Sequence, residues 1–284
     1  MEPLQHNKSI LVATDFSQVG DHALKYASKL VRQFSGKIIL LHVLNDVTKK
    51  RLKKENKDVA SVEAKLKEET EQIKRVYGID ASYILREGSI FTTIAEVARE
   101  VDALYLVIGT HGKKGIQFLM GSFIMKVIKR SPVPAFAIQE APEKTDFKHI
   151  IYPLDASLGS KQKVKWAVHF NKLIGAHYHI FVEDPGLNDI KLKLRADLKL
   201  VTKIMDQHGI GYTVSYATGK GTFDIQTTAF AVEKQADFVM VSTDPGKITW
   251  ALFGSSDEKL IYNKERIPVM CINAKDMNVI IGGM

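Results

Sequence analysis

The residues best suited to chemistry lie in one glycine-rich stretch, Ile108-Gly109-Thr110-His111-Gly112-Lys113-Lys114-Gly115, which runs on to Met120-Gly121-Ser122 ahead of an apparent helix. Glycines at 109, 112 and 115 let the backbone turn tightly and approach a ligand closely. A helix opening at Gly121-Ser122 has free amide N–H groups in its first turn, and such groups bind anions. The Ser122 hydroxyl adds a donor, and Lys113 and Lys114 add positive charge. A phosphate chain suits that setting. Far upstream, the apolar run Ser9-Ile10-Leu11-Val12-Ala13 ends in Thr14-Asp15, whose carboxylate could accept hydrogen bonds from a base amino group or a ribose hydroxyl. The stretch is not a Walker loop, because no Gly-Lys-Ser/Thr follows at the required spacing. Plainer roles stay open for each of these residues. The glycines can be structural turns, Asp15 can cap the following helix, and His111 can be an ordinary loop histidine.

The elements that must position these residues occur twice. Ser9-Ile10-Leu11-Val12-Ala13-Thr14-Asp15 is matched by His149-Ile150-Ile151-Tyr152-Pro153-Leu154-Asp155, an offset of 155 − 15 = 140. A helical face follows each strand: Ala23, Ala27, Leu30, Val31 and Phe34 with Ser17 as N-cap, then Val164, Ala167, Val168, Asn171 and Ile174. The strand Gly36–Val43 corresponds to Gly175–Val182, Leu104–Ile108 to Asp237–Val241, and Ser131–Ile138 to Arg266–Ile272. Gly121-Ser122 pairs with Gly254-Ser255 at an offset of 254 − 121 = 133, so the second half is shorter in its middle. A long polar helix near residues 50–76 accounts for the difference. Strands alternating with helices predict an α/β fold, and near-continuous apolar strands predict a parallel sheet covered on both faces. The expected architecture is two tandem five-stranded parallel-sheet sandwiches of Rossmann-like type, over residues 1–143 and 144–284, joined by the polar linker Glu140–Asp146.

Bulk properties narrow the function classes. At 284 residues, two domains fit the usual size range. The single cysteine, Cys271, sits in an apolar run and is expected to be a buried thiol; there is no zinc-type Cys/His cluster. The apolar runs are strand-sized and too short to span a bilayer, and the first residues lack a signal-peptide pattern, so no membrane partner and a cytoplasmic location are expected. The net charge of +8 gathers largely in Lys49–Lys57 and a mixed Glu/Lys helix, the pattern of a solvated face. With no zinc finger and no aromatic RNA-binding signature, nucleic acid is not the expected partner.

Thr14-Asp15, Leu41-His42-Val43, Gly109-Thr110-His111-Gly112 through Gly121-Ser122, and Ser131-Pro132-Val133-Pro134 together resemble a universal stress protein domain. The resemblance covers the chain as two copies. It implies that Asp15 and Val43, with Thr14 beside them, contact adenine or its ribose. It further implies that Gly109, Gly112, Gly121 and Ser122, with His111 in the same loop, surround the ribose and phosphates of ATP or another adenine nucleotide, with magnesium as a companion ion carried by phosphates and water. Eight residues, Lys113 to Met120, separate Gly112 from Gly121, one fewer than in the ATP-binding branch of that family. The second copy keeps Asp155 and Gly254-Ser255 but has Ser242-Thr243-Asp244-Pro245 in place of Gly109-Thr110-His111-Gly112. Proline lacks the N–H and the freedom of glycine, and Asp244 brings negative charge toward any phosphate, so the second site is expected to be degenerate. The leading expectation is a nucleotide-binding regulatory protein. A nucleotide-independent interaction scaffold and a slow ATP hydrolase are the alternatives; no nucleophile elbow or metal cluster marks an efficient enzyme. The family also implies a pseudo-dimer of the two halves within one chain, through the strands at Pro134–Ile138 and Pro268–Ile272, and leaves room for a further homodimer.

Overall fold

The computed structural model describes residues 8–110, 122–143, 145–218, 221–243 and 256–273. The chain divides into two compact units, Met1–Ala141 and Pro142–Met284. In the first unit the order is β1 (Ser9–Ala13), α1 (Gln18–Arg32), β2 (Lys37–Leu44), α2 (Asp46–Lys54), α3 (Val59–Tyr77), β3 (Asp80–Glu87), α4 (Ile90–Glu100), β4 (Tyr105–Gly109), α5 (Ser122–Arg130) and β5 (Ala135–Ile138). Its strands lie in the order β3-β2-β1-β4-β5, and every pair is parallel.

The central strands are apolar on both faces because helices cover both. Ile10, Leu11 and Val12 of β1 are fully buried, as are Tyr105, Leu106 and Val107 of β4. At the edge, β3 buries only Ala81 and exposes Asp80, Ser82, Arg86 and Glu87. Helix α1 starts where the sequence predicts: Ser17 is the N-cap and accepts from the Gly20 amide at 3.2 Å. Asp21 in the first turn and Lys29 and Arg32 in the last complement the helix dipole. The face of Ala23, Ala27, Leu30 and Val31 is buried, and so is Phe34 beyond the helix end.

The polar helix expected near 50–76 is two helices. Asn56 adopts a left-handed φ of 52° that ends α2, and the Asp58 carboxylate then accepts from the Ser61 amide at 3.0 Å to cap α3. Gly78, at φ 64°, closes α3 with a left-handed cap.

The second unit runs β6 (His149–Leu154), α6 (Leu158–Gln162), α7 (Val164–Ile174), β7 (His177–Val182), α8 (Asn188–Gln207), β8 (Tyr212–Tyr216), α9 (Phe223–Glu233), β9 (Phe238–Thr243), α10 (Ser256–Ile261) and β10 (Val269–Asn273). Its parallel strand order, β8-β7-β6-β9-β10, repeats that of the first unit. Cys271 is a buried thiol on β10. Where the first unit has the continuous helix α1, the second has α6 and α7 separated at Lys163. The buried Tyr152 hydroxyl donates to the Ser160 carbonyl at 2.8 Å and receives the Val164 amide, the two groups that an unbroken helix would join directly. A tyrosine inserted into the ladder thus splits the helix.

Candidate functional site

In the first unit the chain winds from β1 outward through β2 to β3, then returns to the other side of β1 for β4 and β5. The reversal between β1 and β4 leaves a crevice at their carboxyl ends, the place where open parallel sheets take ligands. A cleft lies there. Its walls include Ala13, Thr14 and Asp15 after β1, Leu41, His42 and Val43 of β2, and Ile108 and Gly109 of β4. Asn45 and Thr48 border it at the start of α2, and Ile94, Ile124 and Val127 supply apolar surface from α4 and α5.

Among the predicted residues, Thr14, Asp15 and Gly109 each have a local reason for their place. Thr14 is pinned by its amide, which donates to the Leu41 carbonyl at 2.9 Å, and its hydroxyl accepts from the Phe16 amide at 3.0 Å. The exposed Asp15 carboxylate accepts from both the amide and the hydroxyl of Ser17, so it props the N-cap residue of α1 while facing the cleft. Both readings of Asp15, support for the helix start and ligand acceptor, are therefore compatible with one geometry. Phe16 between them takes a left-handed φ of 61°, a conformation that costs a non-glycine residue about 1–2 kcal/mol. Its ring stacks on His42 at 4.6 Å, with the Lys65 ammonium 4.5 Å from its centre. Those contacts offset the backbone strain.

His42 is nearly fully buried. Burial pushes its pKa below the ordinary value, opposed by the hydrogen bond to Thr14 and assisted by the charge of Arg51. The ring is therefore neutral near pH 7. Nδ1 lies 2.8 Å from the Thr14 carbonyl, which can only accept, so Nδ1 carries the proton. Nε2 then accepts from the Thr48 hydroxyl at 3.3 Å. In this tautomer His42 ties the end of β1 to the start of α2 across the floor of the cleft.

Gly109 lines the same cleft, and a second demand fixes its identity. A Cβ there would stand 2.7 Å from the Val19 carbonyl oxygen, so only glycine lets β4 end so close to the first turn of α1. Next to it, Thr110 is fully buried, and among the described residues its hydroxyl has no hydrogen-bond partner. The matching Thr243 hydroxyl in the second unit donates to Asn273 Oδ1 at 2.5 Å.

The structure thus brings Thr14, Asp15, Val43 and Gly109 together from three strand ends. Ser122 opens α5, and His111, Gly112 and Gly121 lie outside the described residues, as do Lys113, Lys114, Asp244 and Pro245. His42, Gly20, Asn45 and Thr48 also border the cleft, and sequence reasoning gave them no role there. Gly20 carried a usable signal: a glycine three residues after the N-cap Ser17, inside an otherwise good helical pattern. Among the described residues no group of three or more His, Cys, Asp or Glu side chains is placed to hold a metal ion, and no helix is long and apolar enough to cross a membrane.

The model of the universal stress protein family matches residues 6–139. Universal stress protein G of Salmonella typhimurium is 30% identical over 141 residues, which cover 46% of this chain and 99% of the relative. A universal stress protein of Methanocaldococcus jannaschii is 28% identical over 156 residues, 46% of this chain and 94% of its own. Among solved structures, a universal stress protein from Archaeoglobus fulgidus matches with a TM-score of 0.73 at 20% identity, covering 94% of this chain and 98% of that one, a likeness of fold. A cleft at the β1/β4 reversal, a family model over the unit that holds it, and a relative matched along almost its whole length agree: the chain belongs to the universal stress protein family.

Proposed function

We propose that the first unit binds an adenine nucleotide, ATP with magnesium carried on its phosphates, and that the chain acts as a cytoplasmic regulatory protein of the stress response rather than as an efficient enzyme. One observation carries the reading: residues 14, 15, 43 and 109, far apart in sequence, line a single cleft at the reversal point of a parallel sheet. The chemistry of the walls fits the parts of the ligand. Aliphatic side chains from β4, α4 and α5 suit a flat base, while Asp15 offers an acceptor to a ribose hydroxyl or an amino group. In this reading Gly109, Gly112, Gly121 and Ser122 surround the ribose and phosphates, with His111 in the same loop. The second unit, a universal stress protein domain with Ser242-Thr243-Asp244-Pro245 in its loop, does not bind nucleotide.

Calorimetric titration of ATP into nucleotide-stripped protein tests this. The expected stoichiometry is one per chain, with Gly112→Pro abolishing binding and Asp15→Ala weakening it about tenfold, the loss of one hydrogen bond to a charged group. Two sites per chain would refute the asymmetry. No binding at all would refute the nucleotide reading and leave a scaffold that works through protein association.

A further inference from the structure

Counting from the paired aspartates, the offset 155 − 15 = 140 sets Val12 against Tyr152, Gly20 against Ser160 and Ala23 against Lys163. The topology agrees, since β1 lies between β2 and β4 just as β6 lies between β7 and β9. All three exchanges add bulk and polar atoms at one place, the carboxyl end of the first strand. Lys163 is only 2% exposed. Its ammonium donates to the Pro153 carbonyl, lies 3.5 Å from Ser160 Oγ, and sits 4.4 Å from the centre of the Tyr152 ring. Ser160 Oγ in turn accepts from the Asp155 amide at 2.9 Å.

A buried ammonium is strongly unfavourable unless opposite charge and hydrogen bonds compensate it. Here Asp155 is the acidic group linked to it, through Ser160 Oγ, which accepts from the Asp155 amide at 2.9 Å and lies 3.5 Å from the ammonium. Burial alone would raise its carboxyl pKa, yet the charge of Lys163 and hydrogen bonds from Ser157 and Ser160 outweigh burial and hold it below the usual range. At the matching place in the first unit, Gly20 and Ala23 contribute no side-chain polar atom, and Asp15 is exposed toward a cleft.

We propose that Lys163 is an internal counter-cation that closes the carboxyl end of β6, and that Gly20 and Ala23, by leaving the equivalent space at the end of β1 open, decide which unit accepts a nucleotide. The second clause rests on the nucleotide reading above; the first stands without it. A Cβ on Gly20 would meet Thr14 Oγ1 at 3.2 Å and Asp15 Oδ1 at 3.3 Å, crowding two groups assigned to the ligand.

Lys163→Met tests the first clause, because it keeps the length and removes the charge. A group with a depressed carboxyl pKa stabilises the fold above its unfolded value and loses that contribution as pH falls. The variant is therefore expected to melt below wild type at pH 7, with the gap narrowing below about pH 3.9 as Asp155 protonates. Asp155→Asn, which removes the acidic charge, is expected to lower the melting temperature by itself and to shrink the effect of Lys163→Met in the double variant. Equal melting of Lys163→Met and wild type at every pH overturns the clause. If Lys163→Met fails to fold, an Asp155→Asn protein as stable as wild type overturns it instead. For the second clause, Gly20→Ser is expected to weaken ATP binding about tenfold with helical circular dichroism retained, the cost of modest overpacking at the ligand contact. Undiminished affinity in Gly20→Ser, with one ATP bound by wild type, refutes it. Absence of ATP binding in wild type removes the nucleotide reading and the second clause together, while the pH profile still decides the role of Lys163.

Discussion

Replacing Gly109 with alanine asks how closely α1 and β4 must approach to form the cleft. The added methyl would stand 2.7 Å from the Val19 carbonyl oxygen and 2.9 Å from both its carbonyl carbon and its Cγ1. Two of those three atoms are backbone in the first turn of α1, so no rotamer change relieves the clash. Ordinary contact begins at 3.4 Å, so the helix start must retreat by 3.4 − 2.7 = 0.7 Å. That retreat pulls on the Ser17–Asp15 and Ser17–Gly20 hydrogen bonds that set the cap. Overpacking of this kind costs about 1–3 kcal/mol, and a backbone obstacle places the cost near the top of that range. For a unit of this size, about 3 kcal/mol lowers the melting temperature by roughly 9 °C.

Gly78→Ala is the matched control. Gly78 has a left-handed φ of 64° but nothing within 4 Å of its added Cβ, so it carries conformational cost without a clash. That strain alone is worth about 1 kcal/mol, or roughly 3 °C. Calorimetric melting of the two variants separates the terms, and ATP titration of Gly109→Ala is expected to show weaker binding, because the wall between α1 and β4 has moved. A Gly109→Ala protein that melts no lower than Gly78→Ala would refute the reasoning: the close approach would then be slack, and the glycine would have to be explained by a ligand alone.

Three further outcomes follow from other parts of the chain. Burial raises the Glu69 carboxyl to about 7, with Lys65 opposing and Asp21 and Glu68 assisting, so its contribution is present below the unfolded value of 4.5 and lost as pH rises through about 7. Glu69→Gln is expected to raise stability at pH 8 by about 1 kcal/mol after solvent screening and to leave it unchanged at pH 4, measured by urea unfolding. Burial, together with His177, His149 and Lys234, lowers His179 to about 4 from 6.5, so the second unit is expected to lose about 1 kcal/mol as pH falls across that window, a slope that His179→Gln removes. Asp237 accepts from the Thr145 hydroxyl at 2.6 Å and from the amides of Asp146, Lys148 and His149, so Asp237→Ala is expected to cost about 2–3 kcal/mol, with faster amide exchange at residues 146–149.

Much of the fold was legible because it depends on patterns that a parallel sheet imposes along the chain. Ile10-Leu11-Val12 and Tyr105-Leu106-Val107 read as buried strands since helices on both sides leave no face for polar residues. The α1 face and its Ser17 cap were readable for the same local reasons. The break between α2 and α3 was not, although Asn56 and Asp58 stand at it, because a strongly charged stretch carries little apolar periodicity to interrupt. The split of the second-unit helix was beyond reach. Within Ile150-Ile151-Tyr152-Pro153-Leu154, Tyr152 looks like one more strand residue; only the folded chain puts its hydroxyl between Ser160 and Val164.

The candidate site divides along the same line. Thr14, Asp15, Val43 and Gly109 could be named because strand ends are marked in sequence, and a reversal in strand order must bring some of them together. Whether that meeting place stays open is decided by side chains one helical turn further on, which no strand pattern marks. Gly20 and Ala23 leave it open in the first unit; Ser160 and Lys163, on an equivalent strand and turn, fill it with an ammonium and a hydroxyl. Asp15 and Asp155 illustrate the consequence. Each accepts from a serine amide two residues on, and each serine hydroxyl returns to the same carboxylate. Yet the first faces a cleft, while beside the second Ser160 Oγ accepts from the Asp155 amide and lies 3.5 Å from the buried Lys163 ammonium. Topology therefore sets where a ligand can meet this fold, and the first helical turn after the strand sets whether anything but the protein itself is met there.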